Sequence, residues 1–117
     1  MIPTKPPPLY HQWDIVRVRV NPTDRDQHYV VIISPDDAIA RRGRANVLYG
    51  TSKQPADNIL PGQILLDEAD GLERLTAVEC AFFPVVHLGH ITARVGTVTH
   101  ERRQVILRTI AACLRGS

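Results

Sequence analysis

A mainly β fold finished by one C-terminal α-helix is what this 117-residue sequence predicts, and three stretches carry the prediction. "IVRVRV", residues 15–20, alternates apolar and charged side chains, the period-2 pattern of a strand. "YVVIIS", residues 29–34, is an unbroken, largely β-branched run, as expected of a strand covered on both faces. From Thr99, "THERRQVILRTIAACLRGS" places Val105, Ile106, Ile110, Cys113 and Leu114 at helical spacing. Several short strands and one amphipathic helix imply a small, strongly bent sheet or partly open barrel, with the helix over its open face.

Each element has a local reason. "MIPTKPPPL" holds four prolines in nine residues, so residues 1–12 are expected to form an extended leader and residues 13–117 a single barrel domain. In the first strand Val16, Val18 and Val20 share one face and Arg17 and Arg19 the other, which predicts a cationic face. Asp24, Arg25, Asp26, Gln27 and His28 crowd the loop before "YVVIIS", which is expected to be a central strand. "PDDAIARRGRA" reads mainly as a connection with room for a helical turn, and carries Arg41, Arg42 and Arg44 around Gly43. "NVLYGTS" is a third strand ending in Gly50, Thr51 and Ser52. Pro55, Pro61 and Gly62 bracket a loop before "QILLD", and "DEADGLERL" turns at Gly71. "TAVECAFFPVVHL" is a strand or strand pair broken at Pro84, which belongs at an edge, bend or bulge. Thr99 is the expected N-cap of the helix, Glu101 lies in its first turn, and Gly116 falls past its end.

Composition excludes some functions. With 44% hydrophobic and 22% charged residues the chain has the make-up of a soluble globular protein, and a net charge of +2 does not by itself announce a partner. No apolar run approaches the roughly 20 residues that span a bilayer, and the first residues lack the apolar core of a signal peptide, so a cytoplasmic location without membrane contact is expected. Cys80 and Cys113 stand in separate apolar contexts without metal-ligand spacing and are expected to be buried thiols. His87 and His90, three apart on a strand or bend, are expected to point to different faces, and no metal site is anticipated.

Four stretches, taken in order, give the sequence a family resemblance. "WDIVRVRVNPT" resembles the opening Gly-Asp-Ile-Val strand of the MazF/PemK toxins, "HYVVIISPD" their second strand, "YGTS" their Thr-Ser strand end, and "HITARVGTVTHERRQVILRTIAACL" their closing Gly-x-Leu/Val-Ser/Thr helix motif. Together they span most of Trp13 to Leu114. The resemblance implies an SH3-like barrel, a homodimer, and the toxin of a type II toxin–antitoxin pair: a cofactor-free, metal-independent endoribonuclease acting on single-stranded RNA and restrained by a cognate antitoxin. Two positions depart from the pattern. The family's catalytic Arg before the second strand falls on His28 and its following Pro on Tyr29, replacing a permanent cation with a titratable one. The Arg-x-Asp pair of PemK-type members falls in "ECAF", residues 79–82, which has neither residue.

Metal-free RNA cleavage uses the neighbouring 2′-OH as nucleophile, so it needs a base, a proton donor for the 5′-oxygen, and donors around the pentacoordinate phosphate. The candidate set is His28 as base or acid, Arg25 for the phosphate charge, and Thr51 and Ser52 as hydrogen-bond donors. Each also has an ordinary reading: a surface histidine, an exposed ion pair, or strand-end turn formers. Arg17 and Arg19 are candidates to line an RNA groove, with Arg41, Arg42 and Arg44 extending it. Tyr49, Trp13 and Tyr29 are the aromatics available for base stacking, while Phe82 and Phe83 are expected in the core. The alternative is a module that kept the barrel, lost the chemistry, and binds nucleic acid or a partner protein.

Overall fold

The computed structural model describes residues 9–19, 28–52 and 59–116. Its strands are β1 (Asp14–Val18), β2 (His28–Ile32), β3 (Arg44–Thr51), β4 (Gln63–Leu66), β5 (Thr76–Glu79), β6 (Val85–His87) and β7 (Ile91–Thr97); its helices are α1 (Asp36–Arg42) and α2 (His100–Leu114). All pairings are antiparallel, in the order β4-β5-β3-β2-β1-β7, with β6 also on β3. The outer strands β4 and β7 do not pair with each other, so the barrel is open. β3 serves three partners: β6 along Arg44–Asn46, β2 from Val47 to Gly50, and β5 at Gly50 and Thr51. Pro84 sits at the bend before β6, where its carbonyl accepts Val47 N–H at 2.9 Å and its missing donor is not needed.

Apolar side chains cover both faces of the sheet. On the α2 side Ile15, Val31, Leu48, Leu66, Val78 and Val98 pack with Ile106; on the other, Val16, Val18, Val30, Ile32 and Val47 pack with Ile39 and Val86. The continuous run of β2 supplies both cores, as a central strand should. β1 departs from the expected cationic face: it is an inner strand between β2 and β7, and Ile15, on the same face as Arg17 by alternation, is buried in the α2-side core. Val20 lies outside the described residues.

The segment read as a connection is a two-turn helix. α1 has Asp36 and Asp37 in its first turn, Arg41 and Arg42 in its last, and Gly43 as a left-handed cap at φ 65°. These charges oppose the helix dipole in the favourable sense, and Ile39 anchors the helix in the core. A seven-residue helix with one buried side chain shows too little periodicity to be read from sequence. Residues before β1 are tied to α1: His11 Nδ1 lies 2.9 Å from Asp36 Oδ2, and Gln12 N–H donates to Asp36 Oδ1 at 2.8 Å. The Gln12 backbone bond first, and the His11 contact second, lower the Asp36 pKa.

α2 begins as expected at Thr99, whose hydroxyl accepts Arg102 N–H. Its buried stripe is narrower than predicted. Ile106, Ile110 and Cys113 face inward, whereas Val105 and Leu114 are exposed, because a small curved sheet covers only one i, i+4, i+7 row of the helix. Cys80 is buried, Cys113 half-buried, and both are free thiols; burial pushes the Cys80 thiol up to about 12. Phe83 packs on the core, but Phe82, expected there too, is exposed at the bend before β6.

A charged clamp fixes the first turn of α2. The Arg102 guanidinium meets Asp67 through two hydrogen bonds, at 2.7 and 2.9 Å, and also bonds the buried Asp70. Asp70 accepts Thr99 N–H at 3.0 Å and Asp67 N–H at 3.1 Å, and Asp67 accepts Ala69 N–H at 2.9 Å. Arg102, and then the Ala69 backbone, hold the Asp67 pKa down to about 2. The turn at Glu68–Asp70, the one predicted around Gly71, presses against β7 so closely that a Cβ on Gly96 would stand 2.0 Å from the Asp70 carbonyl oxygen.

Candidate functional site

Strand register gathers the candidate residues at one end of the sheet. Val18 pairs with His28 on one side of β1 and Ile91 on the other, so the end of β1, the start of β2 and the start of β7 are level. Tyr29 pairs with Gly50, which brings Thr51 and Ser52, both exposed, to the same end as His28. Three of the four catalytic candidates therefore converge on adjacent strands; the fourth, Arg25, lies outside the described residues. His28 is exposed, and its ring meets Tyr49 edge-on, with centroids 6.3 Å apart.

The arginines divide into two groups. Arg17, half-buried, holds its guanidinium 5.7 Å from the centroid of the Tyr29 ring. Arg19, exposed just past β1, lines a recess of about 210 Å³ with Val18, Tyr49, Val85, Val86, His87 and His90. Arg17 and Arg19, expected side by side, thus differ in setting: Arg17 lies within β1 over the Tyr29 ring, and Arg19, just past the strand, lines the recess. Arg44 starts β3, seven residues before Thr51, or about 23 Å along the strand. Arg41 and Arg42 precede it on α1, and Arg41 faces Asp37 at 3.8 Å. These three are not level with His28 and Thr51.

Two further expectations change. Trp13 is a core residue, buried between β1 and α2, with Arg103 stacked 5.9 Å from its ring centroid; it is not available to stack on a base. His87 and His90 do not point to different faces. Residues 88–90 form a turn of 3₁₀ helix, in which side chains three apart eclipse, and the two rings pack edge-on with centroids 5.7 Å apart. Only the turn type separates this outcome from the one expected of a strand.

Chemically, the strand-end group offers an imidazole, two hydroxyls able to donate to a phosphate oxygen, and two guanidinium groups on the β1 side. In the "ECAF" stretch Glu79 accepts from Gln63 Nε2 at 3.4 Å and Cys80 is buried, so neither is presented to the strand ends. Among the described residues no group of three His, Cys, Asp or Glu side chains is placed to hold a metal ion, and no helix is long and apolar enough to cross a membrane.

The chain is thus a small, open antiparallel barrel with a capping C-terminal helix and a polar group at one set of strand ends. The chain belongs to the PemK-like, MazF-like toxins of type II toxin–antitoxin systems, whose family pattern matches residues 11–114. Solved structures agree on the fold. The Mycobacterium tuberculosis toxin MazF-mt6 superposes with a TM-score of 0.72 at 13% identity, covering 87% of this chain and 96% of that one. An endoribonuclease in complex with its cognate antitoxin, from a mycobacterial species, gives 0.72 at 13% identity over 90% and 92% of the two chains. A MazE–MazF complex from Deinococcus radiodurans gives 0.73 at 11% identity over 91% and 96%. No curated protein matches the sequence.

Proposed function

We propose that this toxin is a metal-independent endoribonuclease that cuts single-stranded RNA by 2′-OH attack. The observation that carries the reading is the convergence of His28, Thr51 and Ser52 at level strand ends, with Arg17 and Arg19 flanking them. His28 exchanges the proton of the attacking 2′-OH or the departing 5′-oxygen, and Thr51 and Ser52 donate to the phosphate. Arg25, three residues before His28 in the sequence, is the candidate to offset the phosphate charge. No step calls for a metal ion or cofactor.

The barrel of residues 13–117, preceded by the leader of residues 1–12, acts in this reading as a homodimer. Val105, Leu107 and Leu114 on the exposed side of α2 provide apolar surface for it. A cognate antitoxin is the expected protein partner, since similar folds are found in MazE–MazF and endoribonuclease–antitoxin complexes. The setting is the cytoplasm, where RNA and antitoxin meet the toxin. Induced expression tests the toxin reading: growth should arrest and recover on co-expression of the antitoxin, and unaffected growth with intact mRNA would overturn it.

The departures at His28, Tyr29 and residues 79–82 favour one second reading, a barrel that binds nucleic acid or a partner without cutting. Salt-sensitive RNA binding without cleavage across varied sequences would decide for it.

A further inference from the structure

We infer that the recess lined by Arg19, Tyr49, His87 and His90 is a nucleotide-binding subsite, which takes one phosphodiester and an adjoining base and binds more tightly as the two histidines become protonated. This rests on the RNA reading above and adds His87 and His90 to it. Val18 and Val86, both buried, contribute an apolar base, and Arg19, His87 and His90 supply cationic or protonatable groups at the opening. At about 210 Å³ the recess has the volume of roughly seven waters, below the roughly 300 Å³ of small-ligand sites, so it suits a phosphate with part of one nucleoside.

Among the described residues, histidines and arginines surround it. His87 lies opposite Arg44 in the β3–β6 register, His90 precedes β7 beside the end of β1, and His28 stands edge-on to Tyr49. Among the described residues lining the recess there is no carboxylate. The His87 and His90 rings stand in edge contact, and imidazole is the side chain whose charge changes between about pH 5 and 8. A phosphodiester anion accepts from protonated imidazole N–H groups and from the Arg19 guanidinium, while the half-buried Tyr49 ring offers a stacking surface. Anion binding and proton uptake are thus coupled.

The test uses the full chain and 2′-O-methyl UpU, whose phosphodiester keeps its charge across this pH range and whose blocked 2′-oxygen prevents cleavage. Uridine and sulfate serve as the base-only and anion-only arms. Affinity for the dinucleotide should rise about tenfold from about pH 7.5 to 5.5, and the ring Hε1 resonances of both histidines should move on binding. His87→Gln/His90→Gln should flatten the pH dependence, and Arg19→Gln should weaken binding at every pH. Binding of sulfate equal to that of the dinucleotide would overturn the base contact, and histidine resonances unmoved by any probe would overturn the subsite. If those resonances respond while long RNA is neither bound nor cut, the RNA function fails and the nucleotide site stands. If long RNA is cut while they do not respond, the function stands and the subsite fails.

Discussion

Replacing Arg102 with methionine removes the cation of the clamp while preserving much of the side chain's length. Asp70, fully buried, loses its charge partner, and Asp67, partly exposed, loses two hydrogen bonds. Removing one member of a buried ion pair costs about 3–5 kcal/mol because the remaining charge is left uncompensated. Asp70 keeps two backbone donors, from Thr99 and Asp67, and Asp67 can be rehydrated, so the lower figure of about 3 kcal/mol applies. With a urea m-value of about 1.5 kcal/mol/M, the unfolding midpoint should fall by about 2 M. Equilibrium urea unfolding followed by far-UV circular dichroism at neutral pH measures this directly. Arg102→Met/Asp70→Asn should recover part of the loss, because the buried charge is gone. A midpoint drop below about 0.5 M would refute the assignment of Arg102 as the group that neutralises Asp70.

Other outcomes follow from the same structure. Asp67 has a folded pKa of about 2, below its unfolded value of 3.8, so its contribution is present above about pH 4 and lost as pH falls toward 2; Asp67→Asn should flatten acid unfolding across that window. Ile106→Ala, which opens a cavity where α2 meets the sheet, should cost about 3 kcal/mol in the same urea assay. Gly96→Ala sets a methyl against the Asp70 carbonyl and should cost about 2–3 kcal/mol, with a lowered Tm. RNA binding should weaken steeply as salt is raised from about 50 to 200 mM, as measured by fluorescence anisotropy, and Arg19→Gln should reduce the slope by about one.

Elements with strong local patterns were legible in the sequence. The apolar run of β2, the Gly-Thr-Ser end of β3 and the Thr99-capped start of α2 each appear where their residues put them. α1 was missed as a helix because its single buried residue, Ile39, gives no repeat. The exposure of Val105 and Leu114 depends on how wide a stripe of α2 the curved sheet can cover, which helical spacing does not encode. At the site, the pairing of His28 with the Thr51 end follows from antiparallel order, but the meeting of His87 and His90 depends on a 3₁₀ turn that their spacing alone does not distinguish from a strand. The burial of Trp13 similarly reflects tertiary packing: its backbone, at φ 74°, is held by bonds to Ile32 and Val98.

The most direct measurement incubates purified protein with a long single-stranded RNA in excess EDTA, and compares the wild type with His28→Gln. The wild type should cut, leaving 2′,3′-cyclic phosphate ends, and the variant should be slower by about a hundredfold, the scale of losing a general acid–base group. Cleavage abolished by EDTA, or cleavage at the wild-type rate in the variant, would contradict a metal-free reaction carried by His28.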